Sequence, residues 1–135
     1  MKKVFLDSDV LLDASLRRGE FAIPAINILN LVDKGQVHAV TSSVSFVNVH
    51  YFLNKYERFK KIELLKEIRS LVSIINVDEK MIDQAIKSGI PDFEDAVQYY
   101  AAVSTGIDVI ITRNIKDYKQ ATIPVLTPIE FLNTL

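Results

Sequence analysis

Two carboxylates interrupt the first apolar stretch of the sequence, and this placement indicates a site for a cation. Residues 4–14 read VFLDSDVLLDA, with Asp7 and Asp9 two positions apart between apolar runs. The run before Asp7 is typical of a buried strand, and an ionised side chain at its end is costly unless something compensates the charge. Asp7 caps no obvious helix, so we expect a functional role for it, whereas Asp9 is also explained as the N-cap of the following helix.

Further acids later in the chain extend this pattern. Asp92 and Asp95 stand three residues apart and therefore share one face of a helix, and Asn114 and Asp117 follow the apolar run VII. Taken singly, Asp92 is also explained as a helix cap and Asp117 as a loop acid, so the prediction depends on the set. Clustered carboxylates repel one another, and a hard divalent cation such as Mg²⁺ or Mn²⁺ would relieve that repulsion. Such a cation can activate water for phosphodiester hydrolysis.

The elements that must bring these acids together alternate between strands and helices. Strands are predicted at residues 3–6, 37–40, 74–77, 108–111 and 124–126, and helices at residues 10–16, 21–34, 43–56, 62–72, 79–87, 93–104 and from 128 onwards. This alternation predicts an α/β fold, a three-layer α/β/α sandwich with a central parallel sheet of about five strands. Ligands of such sheets bind beyond the carboxyl ends of the strands. With the first strand central and the fourth beside it, the acids would meet at one edge.

The apolar pattern also predicts which helix faces are buried. On the helix 43–56, Val44, Val47 and Tyr51, with Phe52, are expected to face the core. On the helix 62–72, the expected apolar stripe consists of Ile62, Leu65, Ile68, Leu71 and Val72.

Composition limits the classes of function. The chain of 135 residues, 49% of them hydrophobic, is expected to form one domain, residues 1–135. No apolar run approaches the roughly 18 residues that span a bilayer, so no membrane association is expected. The absence of cysteine excludes disulfides and thiolate sites and is compatible with the cytoplasm, where we expect the protein. The net charge of −1 gives no overall attraction to nucleic acid, so such contacts would be local or mediated by a metal.

Three stretches of the sequence resemble the motifs of the PIN domain family. KKVFLDSDVLLDA is similar to the opening of PIN domains, where a strand ends in Asp and an Asp or Asn follows two residues later. DFEDAVQYYAA resembles the third acidic motif of the family, and DVIITRNIKDY resembles the fourth. PIN domains are metal-dependent nucleases, and many single-domain members of this length are VapC-like toxins of bacterial toxin–antitoxin pairs. The resemblance therefore implies a Mg²⁺- or Mn²⁺-dependent endoribonuclease with an RNA substrate, a cognate antitoxin and a homodimeric state.

Carried over residue by residue, the resemblance implies roles for the acidic side chains. Asp7 and Asp95 become the central metal ligands and, together with Asp117, the catalytic residues. Thr112 matches a threonine that holds the geometry of the site in this family. The accessory positions are Asp9, Ser43, Asn48, Asp92 and Asn114.

One position departs from the family pattern. PIN nucleases usually carry Glu on the helix after the second strand, where this sequence has Asn48. An amide oxygen can still ligate a metal but brings no charge, so metal affinity should drop and catalysis is put in question. Asp9, at a position where the family often has Asn, is hypothesised to restore the lost charge.

Basic side chains near the expected strand ends offer contacts to a nucleic acid. Arg113 and Lys116 lie within the fourth motif and are expected to contact the RNA backbone. The stretch NKYERFKKIELLKEIR is also locally basic, although its glutamates make a solvated helix face an equally good interpretation.

Two alternative functions remain open at this point. The loss of Glu at Asn48 is compatible with a PIN module that acts in binding only. The segment Asp7-Ser8-Asp9 also resembles the first motif of haloacid-dehalogenase-like phosphatases, in which the first Asp is a covalent nucleophile and the second a general acid. Metal binding without RNA cleavage would favour the first alternative, and activity on small phosphoesters would favour the second.

Overall fold

A parallel sheet forms the centre of the computed structural model, which describes residues 1–135. Its strands are β1 (Lys2–Leu6), β2 (Val37–Ser42), β3 (Val72–Ile75), β4 (Val109–Ile111) and β5 (Val125–Leu126). The five strands lie in the order β3-β2-β1-β4-β5, and every neighbouring pair is parallel. The predicted central position of the first strand, with the fourth beside it, is confirmed.

Seven α-helices cover both faces of the sheet. They are α1 (Ser8–Leu16), α2 (Ala22–Asp33), α3 (Ser43–Tyr56), α4 (Lys61–Leu71), α5 (Glu79–Lys87), α6 (Phe93–Ser104) and α7 (Pro128–Leu132). Side chains alternate across β1, so Val4 and Leu6 join the core shared with α1–α4 and α7, while Phe5 joins the core shared with α5 and α6. The predicted three-layer α/β/α sandwich is confirmed. None of the helices has the length and apolar character needed to cross a membrane.

The buried face of α3 differs from the sequence prediction. Val49 and Leu53 are fully buried, whereas Val47 and Tyr51 are 69% and 62% exposed. The helix carries two apolar stripes, and the packed one begins at Ser45, a buried polar residue that an apolar pattern does not register. The prediction that Val47 and Tyr51 face the core was therefore wrong.

The junction between α4 and β3 lies earlier than the sequence predicts. Val72 starts β3 instead of ending the helix, and it pairs with Ala39 of β2. Ile68 is buried as expected, but Ile62 is exposed. The helix passes directly into the strand without a glycine or proline, and a β-branched residue such as Val72 fits the sheet better than the helix end.

Candidate functional site

Asp7 joins the central strand to the first helix at the carboxyl edge of the sheet. Its backbone N–H donates to the carbonyl oxygen of Ile111 at 3.1 Å, which continues the β1–β4 pairing by one step. Its Oδ1 accepts from the N–H of Ser8 at 2.7 Å, so Asp7 is the N-cap of α1. The expectation that Asp9 caps this helix, and that Asp7 caps none, was wrong.

The second oxygen of Asp7 is held by two hydroxyl groups from distant parts of the chain. Oδ2 accepts from Thr112 Oγ1 at 3.0 Å and from the hydroxyl of Tyr118 at 3.1 Å. Burial raises the pKa of Asp7, and the hydrogen bonds from Thr112, Ser8 and Tyr118 partly oppose that effect. Burial and the neighbouring carboxylate raise the pKa of Tyr118 well above its usual value, so the phenol stays protonated and remains a donor.

Asp9 lies against the segment that follows β4. Its Oδ2 accepts from Thr112 Oγ1 at 3.3 Å, the N–H of Arg113 at 3.2 Å and Asn114 Nδ2 at 3.3 Å. The Thr112 hydroxyl has one proton and can donate to only one of the two carboxylates at a time, and its shorter contact is with Asp7. Burial and the charge of Asp7 raise the pKa of Asp9 to about 7. Its Oδ1 is buried without a hydrogen-bond partner.

The first turn of α6 brings a second set of acids to the same edge. Asp92 is the N-cap of this helix, and its Oδ1 accepts from the N–H of Asp95 at 2.9 Å. Burial raises the pKa of Asp95 to about 7, and the charges of Asp92, Asp117 and Asp7 add to this effect. Burial and the surrounding carboxylates therefore both disfavour the ionised form of Asp95.

Asp117 lies across a cavity from the start of α6. It belongs to a short 3₁₀ turn, Ile115–Tyr118, and its backbone N–H donates to the carbonyl oxygen of Asn114 at 3.0 Å. The cavity has a volume of about 330 Å³, and Asp92, Asp95 and Asp117 line it. The structure therefore brings the acids of the third and fourth motifs to one opening.

The two accessory positions on α3 make different contacts. Asn48 Nδ2 donates to Ser8 Oγ at 3.4 Å, which places the amide beside the turn that contains Asp7. Ser43 Oγ instead accepts from the N–H of Val77 at 3.2 Å, so its hydroxyl holds the segment after β3 and contacts none of the acids. α3 begins at Ser43 as predicted, and its N-cap is Ser42.

Arg113 is engaged in an ion pair within the protein. Its Nε lies 2.9 Å from Oδ2 of Asp13, and Arg18 Nε lies 2.8 Å from Oδ1 of the same carboxylate. The guanidinium of Arg113 also stacks over the ring of Phe21, at 4.2 Å from its centre. These contacts occupy the side chain that the sequence assigns to RNA, while Lys116 lines the cavity.

Three side chains of this region escape sequence inspection, namely Asp13, Glu94 and Tyr118. Asp13 is fully buried. The sequence could have identified it, because it stands four residues after Asp9 on a helix face that is otherwise apolar. Burial and the charges of Asp92 and Asp7 raise the pKa of Glu94, which adds a carboxylate to the group. No pattern in the sequence identifies Tyr118, because its hydrogen bond to Asp7 joins residues that are far apart in the chain.

The donor set fits a hard divalent cation that is also held by water and substrate. No group of three or more His, Asp or Glu side chains is close enough to hold an ion by itself. Mg²⁺ commonly takes only one or two carboxylates and completes its shell with waters and phosphates. The Oδ1 of Asp9 is buried without a hydrogen-bond partner, and burial together with neighbouring carboxylates raises the pKa values of Asp9 and Asp95 to about 7.

The sequence matches the family model of the PIN domain over residues 3–116. The protein therefore belongs to the PIN domain family, as the three motifs predicted.

Solved structures of VapC-type toxins share this fold. The structure of VapBC2 from Rickettsia felis bound to a DNA fragment from their promoter is similar with a TM-score of 0.70 and 19% identity, and the match covers 92% of this chain and 96% of that one. A toxin–antitoxin complex from Klebsiella pneumoniae has a TM-score of 0.65 and 24% identity over 93% and 97% of the two chains. VapC20 from Mycobacterium tuberculosis, a toxin that cleaves the Sarcin-Ricin loop, has a TM-score of 0.65 and 16% identity over 79% and 86%. No curated protein matches the sequence.

Proposed function

We propose that the protein is a Mg²⁺- or Mn²⁺-dependent ribonuclease. The observation that carries this proposal is the group of carboxylates at the carboxyl edge of the sheet, in which Asp7, Asp9 and Asp95 have raised pKa values. Both salt bridges of the protein involve Asp13, so none of these three acids has a basic partner within ion-pair distance. A divalent cation would supply positive charge to this group, and membership of the PIN domain family supports nuclease chemistry.

Each acidic side chain has a role in this proposal. Asp7 and Asp95 would hold the cation, which when bound lowers the pKa of water and neutralises phosphate charge. Thr112 and Tyr118 fix the carboxylate of Asp7 through their hydroxyl groups. Asp117, exposed at the cavity, would position the attacking water.

The remaining acids and amides hold the segments that surround Asp7 and Asp95. Asp92 holds the N-terminus of α6 in place through the N–H of Asp95. Asp9 and Asn114 hold the segment after β4 through the contact of Asn114 Nδ2 with Asp9 Oδ2. Asn48 would contribute a neutral oxygen from α3.

The biological role that fits such an enzyme is that of a toxin whose activity is inhibited by a partner protein. Two of the similar structures are described as VapBC2 and as a toxin–antitoxin complex, which supports a cognate antitoxin as partner. We extend the proposal to a cytoplasmic protein that self-associates as a homodimer. Exposed apolar side chains on α3 and after it, among them Val47, Tyr51 and Phe59, provide surface that a protein partner would cover.

A second candidate is a PIN module that binds without cleaving. Asn48 favours it, because the amide beside Ser8 brings no negative charge to the site. The phosphatase alternative receives no support from the family match.

Cleavage of a panel of structured and single-stranded RNAs tests the proposal. The wild-type protein, freed of any partner, is incubated with Mn²⁺ and separately with EDTA, and Asp7→Asn is assayed alongside. Cleavage that requires both Mn²⁺ and Asp7 is the expected result. Metal binding by the folded protein with no cleavage of any RNA would instead favour the binding module.

A further inference from the structure

We propose that the cavity between the start of α6 and residues 116–121 binds one nucleotide of the RNA beside the bond to be cleaved. This inference rests on the proposed ribonuclease function and adds the part of the substrate that the site would select. The cavity volume of about 330 Å³ lies at the lower end of the roughly 300–1,000 Å³ typical of small-ligand sites. It can therefore take a nucleotide-sized group but not a folded element of RNA.

The charges around the cavity are divided between two sides. Asp92 and Asp95 belong to the start of α6, where they are the only charged lining residues. The opposite segment contributes two lysines, Lys116 and Lys119, and one acid, Asp117. Neither lysine forms a salt bridge, although acids line the same cavity. A ligand that combines a divalent cation with a phosphate matches both sides, because the acids bind the cation and the lysines bind the anion.

The rest of the lining suits a base and its sugar. Ile90 and Pro91 provide apolar surface at the start of α6, and Tyr99 lies deeper, with its hydroxyl 3.3 Å from Thr122 Oγ1. Gln120 is exposed at the rim. Its amide offers both donors and an acceptor, which is the chemistry that reads the edge of an unstacked base.

This arrangement gives the nucleotide a fixed position relative to the acids. Asp95 lines the cavity, and so does Tyr118, whose hydroxyl donates to Asp7 Oδ2 at 3.1 Å and thereby connects the cavity to the group around Asp7. A nucleotide in the cavity would therefore place its phosphate next to the proposed cation. We infer that Lys119 and Gln120 contribute to affinity and base preference, a role that neither the motifs nor the family match assigns.

Binding of the four nucleoside 5′-monophosphates in the presence of Mg²⁺ tests the cavity without any cleavage step. Amide chemical shifts followed by NMR should change at residues 89–95 and 116–121. Lys119→Ala should raise the dissociation constant by about two- to fivefold, the range of one exposed charge contact. Lys87→Ala, an exposed lysine on α5 outside the cavity, is the matched control and should change nothing. Shift changes confined to other surfaces, or equal effects of the two variants, would overturn the proposal.

Cleavage assays separate this proposal from the function on which it rests. Gln120→Ala should alter the distribution of bases at the cleavage positions and raise KM while leaving kcat within about twofold, because it changes binding outside the reacting bond. Gln84→Ala, an exposed glutamine on α5, serves as the control. If wild type binds nucleotides in the cavity but cleaves no RNA, the ribonuclease proposal fails and the cavity stands. If wild type cleaves RNA and Gln120→Ala keeps the KM and base preference of wild type, as the control Gln84→Ala should, the assignment of Gln120 is overturned.

Discussion

Asp13 Oδ2 lies 2.9 Å from Nε of Arg113 and joins the buried side of α1 to the segment after β4. The backbone N–H of the same arginine donates to Asp9 Oδ2 at 3.2 Å. The ion pair that stabilises this corner of the fold therefore also fixes a segment that contacts the candidate site. Arg18 provides the second positive charge on the fully buried Asp13, and its Nε also donates a hydrogen bond to Oδ1 at 2.8 Å, whereas Arg113 Nε lies near Oδ2 without forming one.

Removing the buried carboxylate should destabilise the protein. Asp13→Ala is expected to lower the free energy of unfolding by about 3 kcal/mol, the lower end of the loss seen when a buried ion pair is broken. The lower end applies because Arg18 and Arg113 keep 34% and 29% of their side chains exposed. Chemical denaturation measures the change. Asp33→Ala, at an exposed acid without an ion pair, is the control and should shift stability by less than about 0.5 kcal/mol. Equal effects of the two variants would contradict this account.

The buried hydroxyl of Thr112 should control the affinity of the site for metal. It donates to Asp7 and accepts from the N–H of Asn114 at 3.1 Å, so it fixes the carboxylate of Asp7, which is one of the proposed metal ligands. Thr112→Val keeps the shape but removes both contacts and is expected to weaken Mn²⁺ binding by about 10- to 100-fold. Thr112→Ser should restore most of the affinity. Calorimetry measures all three proteins, and a Val variant that binds as wild type does would exclude this role.

The stability of the metal-free protein should fall as pH rises. The pKa values of Asp9 and Asp95 are about 7 in the folded state, against an ordinary value of 3.8. The folded state therefore holds more protons than the unfolded state between roughly pH 4 and pH 7, and stability decreases across that interval. Unfolding temperatures in EDTA should be higher at pH 5.5 than at pH 8, and Mn²⁺ should raise them more at pH 8.

A single variant provides the control for this pH dependence. Asp95→Asn removes one of the groups whose pKa is raised, so the loss of stability between pH 5.5 and pH 8 should become smaller. Asp83→Asn, at an exposed acid of α5, should keep the wild-type dependence. Identical curves for wild type and Asp95→Asn would show that the raised pKa of Asp95 does not contribute to the pH dependence of stability.

Restoring the family's acid on α3 should strengthen the site. Asn48→Glu places a carboxylate beside Ser8 and is expected to raise Mn²⁺ affinity by about tenfold, since the number of charged ligands tunes the affinity of such sites. Asn48→Gln lengthens the side chain without adding charge and should not have this effect. If Asn48→Glu binds Mn²⁺ no better than Asn48→Gln, the charge at this position is not what limits the affinity.

The strands and helices follow from the sequence because they depend on local patterns. The bounds predicted for residues 43–56, 79–87 and 93–104 are those of α3, α5 and α6. Crossover connections then determine a parallel sheet. The buried face of α3 does not follow, because Val47 and Val49 both lie on apolar stripes and only tertiary contacts choose between them.

The sequence pointed to the acids of the candidate site and, through the family resemblance, to Thr112, but not to the other groups that hold the acids. Asp7 and Asp95 stand out because carboxylates at strand and helix ends are visible in one sequence. The capping role of Asp7 was missed, because the helix starts directly at Ser8 without an intervening turn. The hydroxyl of Tyr118 and the ion pair of Asp13 depend on contacts between distant segments, which no local pattern encodes.

Calorimetric titration of the wild-type protein with Mn²⁺ at pH 7.5, with Asp95→Asn and Asp83→Asn alongside, measures whether these acids bind a divalent cation. We expect saturable binding by wild type and by Asp83→Asn, because Asp83 is an exposed residue of α5. Asp95→Asn should bind at least about tenfold more weakly, because it removes one of the few carboxylates that such an ion takes from a protein. No binding by folded wild-type protein, or equal binding by Asp95→Asn, would contradict the claim that these acids form a divalent cation site.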